Sequence, residues 1–275
     1  MAGRRIELRF HGYDLKTGLF KKVNSQLFAY IKGNGDSDFR FLGLTEQTID
    51  HSKPYFQKPI FVEFFENTNQ TVKLVLLNTE NDSPFTAEPT INEKNLIGES
   101  DPVSVDKLLP PGTKTVINLK KDGKDSGTLD CRTYENLPTG KMITFRVKMT
   151  DLDKKDLFGL SDPYFFLSKV ISHTDKPTVY KSPVIMKDLN PVYPDTITMR
   201  LEDFNGGNID TQIHCMVYDW NSNGTAATIG FFFTTTRDLM GGKREFNIIN
   251  DKKTNDKHYR NSGVFHFLDF NVYDA

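Results

Sequence analysis

Ile143-Thr144-Phe145-Arg146-Val147-Lys148-Met149 alternates apolar and polar side chains without a break, and Ile6-Glu7-Leu8-Arg9-Phe10 does the same. A period of two is that of a half-buried strand. Ile143 follows Ile6 by 137 positions, and Pro191 with Tyr193 follows Pro54 with Phe56 by the same interval. Each proline pair precedes another alternating stretch, Ile197 to Leu201 and Ile60 to Phe64. Landmarks that recur at one interval predict an internal duplication. Further strand-like runs lie at Leu74 to Leu77, Val116 to Leu119, Ile213 to Tyr218, Gly230 to Thr234 and Val264 to Leu268, separated by Gly, Pro, Asn and Asp clusters. The pattern predicts an all-β protein of two tandem antiparallel Greek-key β-sandwiches. Breakers at Asn136-Leu137-Pro138-Thr139-Gly140 put the junction near Thr133 to Thr139, with domains over residues 1–134 and 137–275. Gly33-Asn34-Gly35-Asp36 has the composition of a hairpin turn.

Composition narrows the function classes. Of 275 residues, 37% are apolar and 12% aromatic, enough for two packed cores. With 35 basic and 36 acidic side chains, the chain has no global field to draw it to nucleic acid. Attraction to an anionic surface has to be local. No apolar run reaches membrane-spanning length and no signal core follows Met1, so the expectation is a soluble cytoplasmic protein. Ala2 precedes the first glycine, Gly3, and the chain ends at Tyr273-Asp274-Ala275, so neither common lipid anchor is expected. Cys131 and Cys215 fit reduced thiols rather than a disulfide framework. The six histidines form no His-Glu-x-x-His pair, and there is no Gly-x-Ser-x-Gly elbow or Gly-rich lysine loop, so no enzymatic activity is expected.

The candidate chemistry lies in Asp156-Leu157-Phe158-Gly159-Leu160-Ser161-Asp162-Pro163-Tyr164, with a further acid at Asp219 in Val217-Tyr218-Asp219-Trp220-Asn221. Two aspartates six residues apart across a glycine turn can project carboxylate oxygens into one space, and hard cations take oxygen ligands. The same residue types also dominate ordinary turns for backbone reasons alone, and spacing does not separate the two readings.

These residues, with Asn190-Pro191-Val192-Tyr193 and Tyr218-Asp219 running to Ile229-Gly230, resemble the C2 domain, a β-sandwich whose loops at one end bind Ca²⁺ and phospholipid. Val184-Ile185-Met186-Lys187-Asp188-Leu189-Asn190-Pro191-Val192-Tyr193 and His258-Tyr259-Arg260-Asn261-Ser262-Gly263-Val264 narrow the resemblance to the tandem C2 region of copines. The second half carries most of it. The first half matches by strand pattern and by Asn95-Leu96-Ile97-Gly98-Glu99. The resemblance implies Asp156, Asp162 and Asp219 as Ca²⁺ ligands and expects acids two, four and eight residues after Asp219. Asn221, Asn223 and Ala227 stand there instead. Asn221 can lend one neutral oxygen and alanine none, so weak binding is expected, roughly 10⁻⁴ to 10⁻³ M without lipid. Asp151 and Asp153 read as solvated edge charges rather than ligands.

In the first half, the 137-residue interval sets Leu19 against Asp156 and Ser25 against Asp162, while Asn78 and Glu80 take the places of Asp219 and Asn221. The stretch from Tyr13 to Ser25 holds Asp14 against Lys16, Lys21 and Lys22, net +2, where its counterpart from Thr150 to Asp162 is net −2. Phe20, Lys21 and Lys22 could therefore meet anionic lipid without metal, or form a basic turn facing solvent. Leu157 and Phe158, between two implied ligands, either insert in lipid or fold back onto the sandwich. The longer acidic segment bearing Glu80, Asp82, Glu88 and Glu93 reads as solvated loop acids. Copines continue into a von Willebrand type A domain with an Asp-x-Ser-x-Ser metal motif, and the expectation here is a copine-like chain without it. The function expected is a non-enzymatic membrane-association module that binds anionic phospholipid, with weak Ca²⁺ dependence through the second domain. The alternative is a Ca²⁺-independent scaffold for a protein partner.

Overall fold

The computed structural model describes residues 3–16, 23–49, 52–79, 83–154, 160–222 and 225–275. The chain divides into two compact units, Met1–Asn136 and Leu137–Ala275. Every strand pair in both is antiparallel.

In the second unit, β10 (Lys141–Thr150), β13 (Ile197–Arg200), β16 (Glu245–Asn247) and β17 (Val264–Asp274) make one sheet in the order β13-β10-β17-β16. β11 (Pro163–Lys169), β12 (Thr178–Lys181), β14 (Gln212–Trp220) and β15 (Ala226–Thr235) make the other, in the order β12-β11-β14-β15. The alternation read from the sequence points one side of each strand into the space between them. Ile143, Phe145 and Val147 meet Phe165, Leu167, Cys215 and Val217 there, all buried. The alternating run at Ile197 ends one residue early, because Leu201 opens a short helix over Leu201–Asn205.

The first unit repeats this frame with one difference. β4 (Ile60–Phe64), β1 (Arg4–Tyr13), β9 (Lys124–Asn136) and β8 (Lys114–Lys121) run on through β6 (Leu96–Ser100), β5 (Thr71–Asn78), β2 (Ser25–Lys32) and β3 (Arg40–Leu44), with β7 (Val103–Ser104) beside β5. Glu99 opposite Lys120 and Ser100 opposite Leu119 join what would be two sheets into one nine-stranded sheet. The turn Gly33 to Asp36 closes the β2–β3 hairpin, with the Gly33 amide on Asp36 Oδ2 at 2.7 Å.

The repeat interval is not constant. β1 and β10 match at 137, since Ile6 and Leu8 fall where Ile143 and Phe145 do, all in the cores. In β2 an interval of 137 would set core Leu27 against outward Tyr164. The core residues Leu27 and Ala29 instead match Phe165 and Leu167, at 138. Side chains alternate faces at every step, so burial of one face does not tolerate a one-residue error. Likewise Val72, Leu74 and Leu76 match Ile213, Cys215 and Val217, at 141.

Candidate metal site and flanking loops

Asp162 and Asp219 meet at one end of the second unit. Pro163 pairs with Asp219 across β11 and β14, which brings the Asp162 amide to Asp219 Oδ1 at 2.6 Å. The Trp220 amide returns to the Asp162 carbonyl at 3.0 Å. Asp162 Oδ1 accepts the Lys187 amide at 2.6 Å, and the Asp188 amide reaches the Ser161 carbonyl at 3.1 Å. Lys187 adopts φ 53°, a left-handed turn that aims its amide back at the carboxylate. Asp219 is fully buried and Asp162 partly so. Two carboxylates brought together at the ends of adjacent strands offer oxygen donors of the kind a hard cation takes.

The remaining expected ligands contribute less. The Asn221 amide bonds the Thr225 carbonyl at 3.1 Å and its Nδ2 the Thr225 hydroxyl at 3.3 Å, closing the turn between β14 and β15. Ala227 lies in β15 directly opposite Asp219. Asp156, with Leu157 and Phe158, lies outside the described residues, as do Phe20, Lys21 and Lys22. Among the described residues, no group of three or more His, Cys, Asp or Glu side chains is arranged to hold a metal.

Two expectations about the flanking charges change. Asp153 is not a solvated edge charge: Lys253 Nζ reaches its Oδ2 at 2.7 Å, and its side chain is only 23% exposed. Lys16, counted in the basic loop of the first unit, pairs with Asp125.

The first unit's counterpart of Asp162 is Asn24, one residue before the Ser25 expected from a fixed 137-residue interval. The Thr79 amide bonds the Asn24 carbonyl at 2.7 Å, as Trp220 bonds Asp162. Asn78 stands where Asp219 does, opposite Ser25. Two neutral amides replace two carboxylates.

Sequence reasoning passed over the loop 184–190 as a site element and used it only as a family mark. It supplies the clamp on Asp162 and presents Met186, 56% exposed, at the same end as Leu160, 44% exposed. Exposed apolar side chains in a copine-resembling loop were the available signal. The copine mark Asn261-Ser262-Gly263 also has a counterpart in Asp125-Ser126-Gly127. The Gly263 amide bonds Asn261 Oδ1 at 3.1 Å and the Gly127 amide bonds Asp125 Oδ1 at 3.2 Å. Both glycines have strongly positive φ, 122° and 125°, and a Cβ on either would press within about 3 Å of the strand it crosses.

The C2 domain family matches residues 140–250, most of the second unit. Copine-C of Dictyostelium discoideum is 33% identical over 264 residues, covering 96% of this chain and 48% of its own length. The chain is copine-like. Copine-D of the same organism is 34% identical over 266 residues, again 96% of this chain and 48% of that protein. The copine-like chain thus spans about half the length of the curated relatives it matches. Among solved structures, BON1-C2B is 24% identical over 48% of this chain and 92% of its own, with a TM-score of 0.41, too slight a likeness to add to the copine match.

Proposed function

We propose that the chain is a non-enzymatic module that docks on anionic phospholipid through the end of the second unit carrying Asp162 and Asp219, with Ca²⁺ as a weak enhancer. The observation that carries this is the Asp162 amide bonded to Asp219 Oδ1 at 2.6 Å, which supports two carboxylates held side by side at a loop end rimmed by exposed Leu160 and Met186. Apolar side chains would enter the interface while a cation offsets the acids. Asp162 and Asp219 would hold the ion, with Asp156 and Asn221 as further ligands, and the ion would supply positive charge toward lipid phosphate. The first unit, with Asn24 and Asn78 at the matching places, would hold no Ca²⁺; contact through Phe20, Lys21 and Lys22 is part of the same proposal. That no helix among the described residues is long and apolar enough to cross a membrane is compatible with peripheral attachment.

Co-sedimentation with phosphatidylserine vesicles, with and without Ca²⁺, tests this. Ca²⁺-enhanced binding supports it, and absence from the pellet in both conditions overturns it. A second reading rests on Ala227, which faces Asp219 without an oxygen donor. It makes the chain a Ca²⁺-independent scaffold for a protein partner, and calorimetry showing no Ca²⁺ binding at millimolar concentration would favour it.

A further inference from the structure

The outward faces of the matching sheets end differently in the two units. In the first, Phe28, Tyr30, Val75 and Leu77 point away from the main core yet are at most 8% exposed, because a second apolar layer covers them. That layer includes Phe85, from the segment between β5 and β6. The Phe85 ring meets Phe28 edge-on at 5.7 Å. Gln26 clamps its main chain from both sides: Nε2 donates to the Phe85 carbonyl and Oε1 accepts the Phe85 amide, each at 2.9 Å. That covering segment carries exposed Glu88 and Glu93.

In the second unit Phe166 and Tyr218 stand where Phe28 and Leu77 do, and only residues 221–225 separate β14 from β15, where residues 79–95 separate β5 from β6. Tyr164 instead stacks on Tyr218 at 5.6 Å, Phe166 meets both edge-on at 5.6 and 5.8 Å, and all three stay partly exposed. Beside them His214 stacks on Phe233 at 4.6 Å, and Phe233 is 39% exposed. Burial, with Lys176 nearby, pushes His214 down to about 4, so its ring is neutral at pH 7 and extends the apolar surface. Two cations border the face. Lys181, opposite Phe166 where Leu44 lies opposite Phe28, sits 5.5 Å over the Phe166 ring, and Lys176 sits 5.7 Å over Phe233.

We propose that this face of the second unit binds an extended acidic peptide of a partner protein that carries an aromatic side chain, the kind of cover the first unit supplies from its own chain. The aromatic residue would pack among Tyr164, Phe166 and Tyr218, as Phe85 packs on Phe28. Carboxylates beside it would meet Lys176 and Lys181. A lipid phosphate would use the two lysines but leave the rings without a partner, which is why a peptide fits better.

The test uses the full chain and a fluorescein-labelled synthetic peptide of residues 83–95, Ser-Pro-Phe-Thr-Ala-Glu-Pro-Thr-Ile-Asn-Glu-Lys-Asn, followed by fluorescence anisotropy. Saturable binding is expected. It should weaken about tenfold or more, a difference of about 1.4 kcal/mol, with Lys176→Glu plus Lys181→Glu in the protein, and similarly with Phe→Ala in the peptide. Circular dichroism melting of the lysine variant should match the parent, so that lost binding is not lost folding. No saturable binding at roughly millimolar protein overturns the proposal, as does binding insensitive to either change. In parallel, loss of phosphatidylserine vesicle binding in the lysine variant without any peptide binding would make the face a lipid surface and also overturn it.

Discussion

Asn24 and Asp162 occupy one position in two copies of the same frame. Each accepts, on its carbonyl, the amide of the residue that follows the third-loop ligand position, Thr79 at 2.7 Å and Trp220 at 3.0 Å. The backbone is conserved between the copies while the side chain changes from neutral to acidic. Any metal function therefore separates from the fold at this position.

Calcium titration should report that separation. Asp162→Asn should remove most Ca²⁺-enhanced vesicle binding, because it removes one of the three carboxylates proposed to hold the ion. Asp153→Asn should leave it intact and cost about 0.5 to 1 kcal/mol of stability through the Lys253 pair. Equal losses of vesicle binding in the two variants would put the metal elsewhere.

Asp219 also acts as a structural acceptor. Asp219→Ala leaves the Asp162 amide without its acceptor at a buried position and should lower stability by about 1 to 3 kcal/mol, measured by denaturant unfolding. Asp219→Asn keeps an acceptor oxygen and should cost less, while still weakening any Ca²⁺ effect.

Membrane contact at the described loops predicts that Leu160→Ser with Met186→Ser reduces vesicle binding at unchanged melting temperature. Leu157→Ser with Phe158→Ser is the parallel test for the neighbouring residues. A large fall in melting temperature in either pair would assign those side chains to the core rather than to lipid.

Gly98 and Gly230 close matching β-bulges but are not equally replaceable. A Cβ on Gly230 would lie 2.5 Å from the Ile249 carbonyl oxygen, which is backbone and cannot move cheaply. On Gly98 the closest atom is the Ser126 hydroxyl, which can rotate away. Gly230→Ala should destabilise by about 2 kcal/mol or more, and Gly98→Ala by less, in thermal unfolding of the full chain.

His214 sets a pH dependence. Its folded value is depressed to about 4 from 6.5, so the unfolded chain binds the proton more readily between these limits. Its contribution to stability is fully present above 6.5 and is lost as pH falls toward 4. His214→Phe should flatten that part of the stability profile, and an unchanged slope would show that other groups dominate it.

The all-β class and the strands of both halves were legible in the chain, because alternation of buried and exposed side chains is a local property of a strand. The acids Asp162 and Asp219 became candidates through the C2 resemblance, since spacing alone does not separate a ligand from an ordinary turn residue. What the sequence could not supply was the slip from 137 to 138 between β1 and β2, since one inserted residue in a loop leaves no mark until the core selects which face of β2 turns inward. The same holds for the clamp of Lys187 on Asp162, the Asp153–Lys253 pair and the cover of Phe85 over Phe28. Each joins residues far apart in the chain, and only closure of the sandwich brings them within hydrogen-bonding or packing distance.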